Sequence, residues 1–227
     1  MNPKNRTFAI VAGVVVLIIA AALVAVLATG GSDDSSNSSD PTNSSDSSDS
    51  SAAIQENRPV EVTGVALAPF DDPASDAAVG QASPVVAGAS FDGTPITIGG
   101  AGDKPTLLVF LAHWCPHCNR EVPELIALND AGGVPDGLDV IGISTAVASD
   151  RPNYPPSQWI VDKGWPWPTM ADSENSEALT AFGGTGFPFL VIVDSDGTVL
   201  ARQSGESTAD ELGAWIDATL ATSSATT

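Results

Sequence analysis

Both cysteines and both histidines of the chain lie within seven consecutive positions, which read AHWCPHC from Ala112 to Cys118. Thiolates are the nucleophiles and the metal ligands of cysteine chemistry. Imidazole rings donate and accept protons near neutral pH, and they also bind metals. The cluster therefore indicates one of three roles: metal binding, a structural cross-link, or thiol–disulfide exchange.

Spacing favours the third role. The sulfurs of Cys115 and Cys118 and the rings of His113 and His117 could supply the four ligands of a zinc site, but zinc sites usually separate two ligand pairs by a folded loop. A copper carrier would normally add a histidine from elsewhere, and the sequence contains no other. A disulfide between neighbouring turns closes too short a loop to stabilise the fold much. Exchange is preferred, and a copper-binding assembly factor stays open as an alternative.

The residues around the cluster must place it at the junction of a strand and a helix. TLLVFLA, at 106–112, is an apolar run typical of a buried central strand, and 119–130 has the pattern of an amphipathic helix. Strands alternate with helices along the domain, which predicts a mixed central sheet with helices on both faces. Further strands are predicted at 138–146 and 189–194 and within hairpins at 89–98 and 189–205, and further helices at 156–164, 173–184 and 207–221.

This placement predicts distinct roles for the two cysteines. Cys115 falls at a helix N-terminus, where unpaired N–H groups and the helix dipole favour an anion, so its thiol pKa should fall. Cys118, one turn later, is close enough to resolve a mixed disulfide. Pro116 suits the first helical turn. His117 can donate a hydrogen bond or a positive charge toward the thiolate.

Two motifs together resemble a known family. FLAHWCPHC is similar to the active site of thioredoxin-fold thiol–disulfide oxidoreductases, and its Pro-His dipeptide is that of DsbA-type oxidants. The continuation Cys-x-x-Glu-x-Pro, from Cys118 to Pro123, resembles the membrane-anchored TlpA/ResA group, extracytoplasmic proteins that usually act as reductants. FDGTPITI resembles the N-terminal hairpin of that group, and GTGFPFLVIVDSDGTV resembles its cis-proline loop and closing hairpin. The resemblance covers about residues 60 to 221.

The resemblance implies a thioredoxin-like fold and a redox cycle between Cys115 and Cys118 that needs neither a cofactor nor a metal, because the two sulfurs carry the electrons. By the same match Pro188 is the cis-proline that faces the cysteines. Phe187 then offers its backbone to an incoming chain, and Trp114 lines the substrate groove. The implied partners are protein thiols and disulfides, with an electron donor or an oxidant in the membrane that resets the pair.

One departure from typical thioredoxins concerns the buried acidic residue of the strand before the motif, where this chain has Val109. Glu121 is the candidate replacement, because it follows Cys118 by three residues on the same helix face and could manage the proton of the buried thiol. His113 is interpreted as a packed or partly exposed neighbour rather than a catalytic group. The remaining tryptophans, interpreted as packing residues, are Trp159, Trp165, Trp167 and Trp215.

The N-terminal part predicts a membrane tether. Residues 8–28 form an unbroken apolar run of 21 residues, about the length that crosses a bilayer as a helix. A cleaved secretory signal is the alternative, although the run is long for a signal core. Lys4 and Arg6 precede this run, so the N-terminus should be cytoplasmic and the domain extracytoplasmic. Ser- and Asp-rich sequence after the run predicts a disordered linker. The expected division is 1–7 cytoplasmic, 8–28 transmembrane, 29–57 linker, 58–222 thioredoxin-like domain and 223–227 flexible tail.

Charge limits the possible partners. The chain has 28 acidic against 8 basic residues, which makes nucleic acid a poor partner because phosphate binding needs a basic surface. A peroxiredoxin-like thiol peroxidase is a further alternative, although residues 108–115 lack the Pro-x-x-x-Thr-x-x-Cys pattern of that class. Pro-His favours an oxidant and the Glu-x-Pro continuation favours a reductant, so the direction of the exchange stays open.

Overall fold

The computed structural model describes residues 53–224, which form eight strands, four α-helices and a short 3-10 turn at Pro73–Ser75. The helices are α1 Pro116–Asp130, α2 Pro156–Asp162, α3 Glu177–Ala181 and α4 Ala209–Ser224. The strands are β1 Glu61–Thr63, β2 Val85–Ala89, β3 Pro95–Ile98, β4 Thr106–Leu111, β5 Asp139–Ser144, β6 Thr169–Ala171, β7 Phe189–Val193 and β8 Val199–Ser204.

All eight strands belong to one mixed sheet, as predicted. Its order is β1-β2-β6-β5-β4-β7-β8, and β3 pairs with β2 beside that path. Strand β4 pairs in parallel with β5, which it reaches through α1, and antiparallel with β7. Hydrogen bonds on both sides hold β4 in the middle of the sheet, so the residues that follow it start from a fixed position.

The alternation of side chains along β4 divides the core into two layers. Leu107, Val109 and Leu111 pack in the cluster that contains residues of α1, α2 and α4. Leu108 and Phe110 point to the other side, where they pack with residues of α3 and of the segment before β2. Successive strand residues face opposite sides of a sheet, and burial of both sides explains the continuous apolar run. The prediction of helices on both faces is confirmed.

Two short strands and one helix differ from the sequence-based expectation. β1 and β6 have three residues each, too few for an alternating pattern to show. The helix predicted at 173–184 is limited to Glu177–Ala181. Ser176 adopts a left-handed conformation with φ of 54°, so helical backbone cannot begin before it. The first N–H groups of α3 are satisfied from outside the helix, because the buried Asp172 carboxylate accepts from Ala178 and Leu179.

Hydrogen bonds to the domain begin before residue 58, within the stretch that the sequence assigns to the linker. The Gln55 N–H donates to the Phe91 carbonyl at 2.9 Å. The Glu56 carboxylate accepts from both the N–H and the hydroxyl of Ser157, at 2.9 and 2.6 Å, and so caps the start of α2. The last residues before the domain are therefore attached to the helix beside the motif.

The predicted membrane span at 8–28 lies outside the described residues, as does the linker up to residue 52. Within residues 53–224, no helix is both long enough and apolar enough to cross a membrane.

A buried ion pair joins β8 to the segment before β2. Arg202 Nε donates to Asp76 Oδ2 at 2.8 Å, its second nitrogen pairs with Oδ1, and both side chains are almost fully buried. Arg202 also donates to the carbonyls of Ala68 and Phe182, at 2.9 and 2.8 Å. The guanidinium holds the pKa of Asp76 below its usual value. The Arg202 charge is thus compensated by Asp76 and by local carbonyls, and the Asp76 carboxylate also accepts from the Ala78 N–H.

Replacement of Asp76 by Ala should destabilise the domain by about 3 kcal/mol or more, because it leaves the Arg202 charge buried without its partner. Urea unfolding of the full chain, parent against variant, measures this difference. Lys104→Ala is the matched control: it removes an exposed pair with Asp139 at 3.7 Å and should change stability by less than about 1 kcal/mol. Equal effects of the two substitutions would contradict the assignment.

Candidate active site

The turn from β4 to α1 presents the first cysteine at the beginning of a helix. β4 ends at Leu111, and Cys115 is the N-cap of α1 with extended backbone angles of −74° and 122°. The Cys115 N–H donates to the Ala112 carbonyl at 3.0 Å, and the Cys115 carbonyl accepts from the Asn119 N–H at 3.1 Å. No side-chain hydrogen bond caps this helix, so the sulfur of Cys115 is left for other contacts.

The two sulfurs are free thiols in different surroundings. Cys115 is 6% exposed, whereas Cys118 is completely buried. The Cys115 thiol donates to the Phe187 carbonyl across 3.7 Å. Burial raises the pKa of the Cys118 thiol far above its usual value, and the charge of Glu121 acts in the same direction. Cys115 is therefore the sulfur that an external molecule can reach, and Cys118 stays protonated unless a base takes its proton.

The loop before β7 closes over Cys115. The Phe187–Pro188 peptide bond is cis, as the sequence match predicts, and the Phe187 carbonyl is the one that contacts the Cys115 sulfur. The Trp114 ring meets the Phe187 ring edge-on, with centroids 6.0 Å apart. Its indole N–H donates to the Ala146 carbonyl at 2.8 Å, which fixes the ring beside the motif. Trp114 and Phe187 thus flank Cys115, and their contact with a substrate stays a prediction.

Glu121 is the buried acid of the site. Its side chain is inaccessible to solvent, Oε2 accepts from the Ser207 N–H at 2.7 Å, and Oε1 has no hydrogen-bond partner among the described residues. Burial raises the pKa of Glu121 to about 7, and the negative charges of Glu206, Glu124 and Glu211 add to this effect. The carboxyl therefore exchanges a proton in the neutral range, one helical turn from Cys118.

His117 points to a different partner from the one that the sequence predicts. Its side chain is 57% exposed, and Nδ1 lies 3.2 Å from Glu206 Oε2 and 3.0 Å from Arg120 Nη2. Arg120 Nε in turn donates to the same Glu206 oxygen at 2.6 Å. Among the described residues, Cys115 is not a hydrogen-bond partner of the His117 ring. Donation from His117 to the thiolate stays a prediction.

His113 is a packed residue, as interpreted from the sequence. The ring is buried, Nδ1 donates to the Pro152 carbonyl at 2.8 Å, and Nε2 accepts from the Ala148 N–H at 3.2 Å. Burial lowers the pKa of His113, which agrees with a neutral ring. Because both ring nitrogens are engaged, His113 cannot complete a four-ligand zinc site with Cys115 and Cys118. Across residues 53–224 no group of three or more potential ligands is arranged to hold a metal ion.

Asn119, which none of the sequence motifs indicates, holds the motif through its side chain. Its side-chain amide donates to the carbonyls of both His113 and Cys115, at 3.0 Å each. Its side-chain oxygen, Oδ1, accepts from the Trp159 indole N–H at 3.0 Å, which connects the motif to α2. The available signal was its position four residues after Cys115, within reach of the open backbone groups at the helix start.

Known proteins resemble this chain in sequence and in fold. The Redoxin family profile matches residues 78–215. Over 118 residues the chain is 28% identical to the thiol:disulfide interchange protein HelX of Rhodobacter capsulatus, a match that covers 52% of this chain and 62% of HelX. Over 128 residues it is 24% identical to sporulation thiol-disulfide oxidoreductase A of Bacillus subtilis, covering 56% and 75%. A thiol:disulfide interchange protein of the thioredoxin family from Chlorobium tepidum, known from a crystal structure, has a TM-score of 0.51 at 24% identity, covering 64% and 99%.

The fold and the site define a thioredoxin-like α/β domain with a dithiol at the start of its first helix. The chain belongs to the Redoxin family, whose profile covers most of the domain. The predicted thioredoxin-like fold is confirmed. The chain spans about three fifths of HelX, 62% of its length.

The raised pKa of Glu121 makes stability depend on pH. The carboxyl keeps its proton in the folded protein up to about pH 7 but loses it near pH 4.5 when unfolded. Its contribution is therefore complete below pH 4.5 and is lost as pH rises toward 7. Unfolding of parent and Glu121→Gln, compared over this range, should show the variant gaining up to about 3 kcal/mol relative to the parent.

Asp196→Asn is a control of opposite sign. Hydrogen bonds from Thr198 lower the pKa of Asp196 below 3.8. That variant should be less stable than the parent above pH 3.8, and the difference should disappear at lower pH. A difference between Glu121→Gln and the parent that does not vary with pH would contradict the assignment of Glu121.

Proposed function

We propose that the protein is a thiol–disulfide oxidoreductase that exchanges the Cys115–Cys118 dithiol or disulfide with protein substrates. One observation carries the proposal: the Cys115 sulfur lies at a helix N-terminus against the Phe187 carbonyl, and a buried partner thiol lies one turn behind it. The helix terminus favours a thiolate. The names of HelX and of the Bacillus subtilis relative support the same chemistry.

The exchange proceeds in two displacements. When the dithiol reduces a substrate, the Cys115 thiolate attacks one substrate sulfur, the substrate S–S bond breaks, and the other substrate sulfur leaves as a thiolate. Cys118 then loses its proton and attacks the Cys115 sulfur, which releases the remaining substrate thiolate and leaves a Cys115–Cys118 disulfide. Two electrons pass from the protein to the substrate, and the reverse sequence oxidises a dithiol substrate.

Glu121 supplies the base for the second displacement. Cys118 is buried and protonated, so it needs a nearby acceptor for its proton. The Glu121 carboxyl lies one turn away, and its pKa of about 7 leaves it partly ionised at neutral pH. A general base is most effective when its pKa lies near the working pH. The residue therefore replaces the acid that typical thioredoxins carry at the position of Val109.

Substrate binding uses the loop before β7. In the dithiol form, the Phe187 carbonyl accepts from the Cys115 thiol. Once Cys115 forms a mixed disulfide, it has no proton to donate, so this carbonyl becomes an acceptor for an N–H of the incoming chain. The Trp114 ring provides an apolar wall beside it. This arrangement binds the backbone of the substrate rather than particular side chains, which agrees with protein substrates of varied sequence.

The proposal includes a membrane tether. Residues 8–28 are long and apolar enough to span a bilayer, and Lys4 and Arg6 precede them. The protein would then be a single-pass membrane protein with its domain at 58–222 outside the cytoplasm. A carrier in the same membrane would reset the pair, as an electron donor if the protein is a reductant or as an oxidant if it donates disulfides.

The tether makes a prediction for cell fractions. The full chain should stay in the membrane pellet after extraction at alkaline pH, and protease added to intact spheroplasts should remove the domain. Deletion of residues 1–52 is the matched control, because that shortened chain should leave the pellet. Release of the full chain by alkaline extraction, or protection of its domain, would contradict the tether or its orientation.

The exchange itself is tested by titration of the full chain against glutathione and by trapping. Cys118→Ser should accumulate mixed disulfides with substrate peptides, since the first displacement proceeds and resolution is blocked. Cys115→Ser should not, because the remaining thiol is buried. A potential near about −120 mV would indicate an oxidant, and one near about −270 mV a reductant.

Three outcomes would contradict the proposal. The first is failure of the pair to equilibrate with glutathione. The second is turnover of peroxide without a disulfide substrate, which would favour the peroxidase. The third is tight stoichiometric binding of Cu(I) without exchange, which would favour the copper-binding alternative.

A further inference from the structure

We propose that Glu206 is a positioning residue that holds the His117 imidazole away from Cys115, so that the dithiol is less oxidising than its Pro-His dipeptide alone would make it. The inference rests on the proposed exchange function. It concerns the loop between β8 and α4, which none of the sequence motifs includes.

Three contacts among the side chains of Glu206, Arg120 and His117 support this role. Glu206 Oε2 accepts from Arg120 Nε at 2.6 Å and lies 3.2 Å from His117 Nδ1, while Arg120 Nη2 lies 3.0 Å from the same ring nitrogen. Nδ1 either donates to Glu206 or accepts from Arg120, depending on its protonation. In both cases the ring is held at the ion pair, and this edge is not available to Cys115.

The positions of the three side chains allow the contact with Glu206 to set the orientation of the His117 ring. All three are well exposed, so no packing fixes the His117 ring in another way. Arg120 follows His117 by three residues on α1 and therefore lies on the same helix face. Glu206 comes from the β8–α4 loop, so the ring is held between two separate parts of the chain. Arg120 also holds the pKa of Glu206 below its usual value, and the carboxylate stays charged at neutral pH.

The effect on the reduction potential depends on whether the His117 ring stabilises the reduced or the oxidised form of the cysteine pair. An imidazole near Cys115 stabilises its thiolate and hence the reduced form, which makes a dithiol pair more oxidising. A ring turned toward Glu206 withholds that stabilisation. The negative charge of Glu206 itself also disfavours a thiolate, so a test must separate the effect through His117 from the direct effect of charge.

The same loop also contacts Glu121, the buried acid next to Cys118. Ser207, directly after Glu206, donates its N–H to Glu121. One connection therefore holds both His117, which can act on Cys115, and Glu121, which can act on Cys118. Glu206→Gln leaves this N–H in place but removes a negative charge that raises the pKa of Glu121, so the pH range in which Glu121 affects stability should move to lower values in that variant.

The test is a double-mutant cycle on the full chain with Glu206→Gln and His117→Ala. Two quantities are measured for each variant: the equilibrium constant with glutathione, and the apparent pKa of the Cys115 thiol from thiolate absorbance. Glu206→Gln should shift the equilibrium toward the reduced protein by about threefold or more, which is ~14 mV for a two-electron couple, and should lower that pKa. In the His117→Ala background the shift should be less than about 1.5-fold. Asp210→Asn, which removes an exposed charge in the first turn of α4, should leave both readouts unchanged.

An equal shift in both backgrounds would overturn the proposal, because Glu206 would then act by charge alone. No shift, or a shift toward the oxidised protein, would also overturn it. If the parent equilibrates with glutathione but the variants do not differ from it, only this inference fails. If the parent does not equilibrate at all, the proposed function fails with it.

Discussion

The site depends on one constraint: only four residues, 112–115, separate the end of the central strand β4 from the start of α1. β4 is hydrogen-bonded on both sides, so its end cannot move without disrupting the sheet. A few backbone and side-chain hydrogen bonds then fix the turn that leads into α1; they involve Ala112, Cys115 and Asn119. The Cys115 sulfur therefore lies in the favourable field of the helix N-terminus, although it makes no capping hydrogen bond. Cys118, one turn later, is buried by the same packing that holds α1 on the sheet.

Burial separates the two thiols chemically. Cys118 and Glu121 are both excluded from solvent, and burial together with the charge of Glu121 keeps Cys118 protonated near neutral pH. Cys115 shares the same turn but reaches the surface. The asymmetry between an accessible nucleophile and a protonated resolving thiol thus follows from which side of one helical turn faces the core, and no cofactor is needed to create it.

The sequence predicted the fold and the pair of cysteines because both depend on local signals. The apolar run of β4, the start of α1 and the proline before β7 are each legible in a few residues. β6 and the early part of α3 were not, since three residues carry no period and since the buried Asp172 replaces the helical start by a tertiary contact. Contacts between distant segments were also missed. Glu206 is 89 residues from His117, and no pattern connects them.

In the sequence, the Pro-His dipeptide favours an oxidant and the Glu-x-Pro continuation favours a reductant. The long-range contacts give a physical interpretation of this conflict. Pro-His favours an oxidant only if the histidine reaches the thiolate, and a Glu three residues after the second cysteine acts only if it is buried. In this structure the histidine is engaged by Glu206 and Arg120, whereas Glu121 is buried beside Cys118. The dipeptide alone is therefore a weak guide to the potential. With the proposed role of Glu206, the long-range contacts around His117 set how much of the effect of the dipeptide reaches Cys115, so the potential depends on residues outside both motifs.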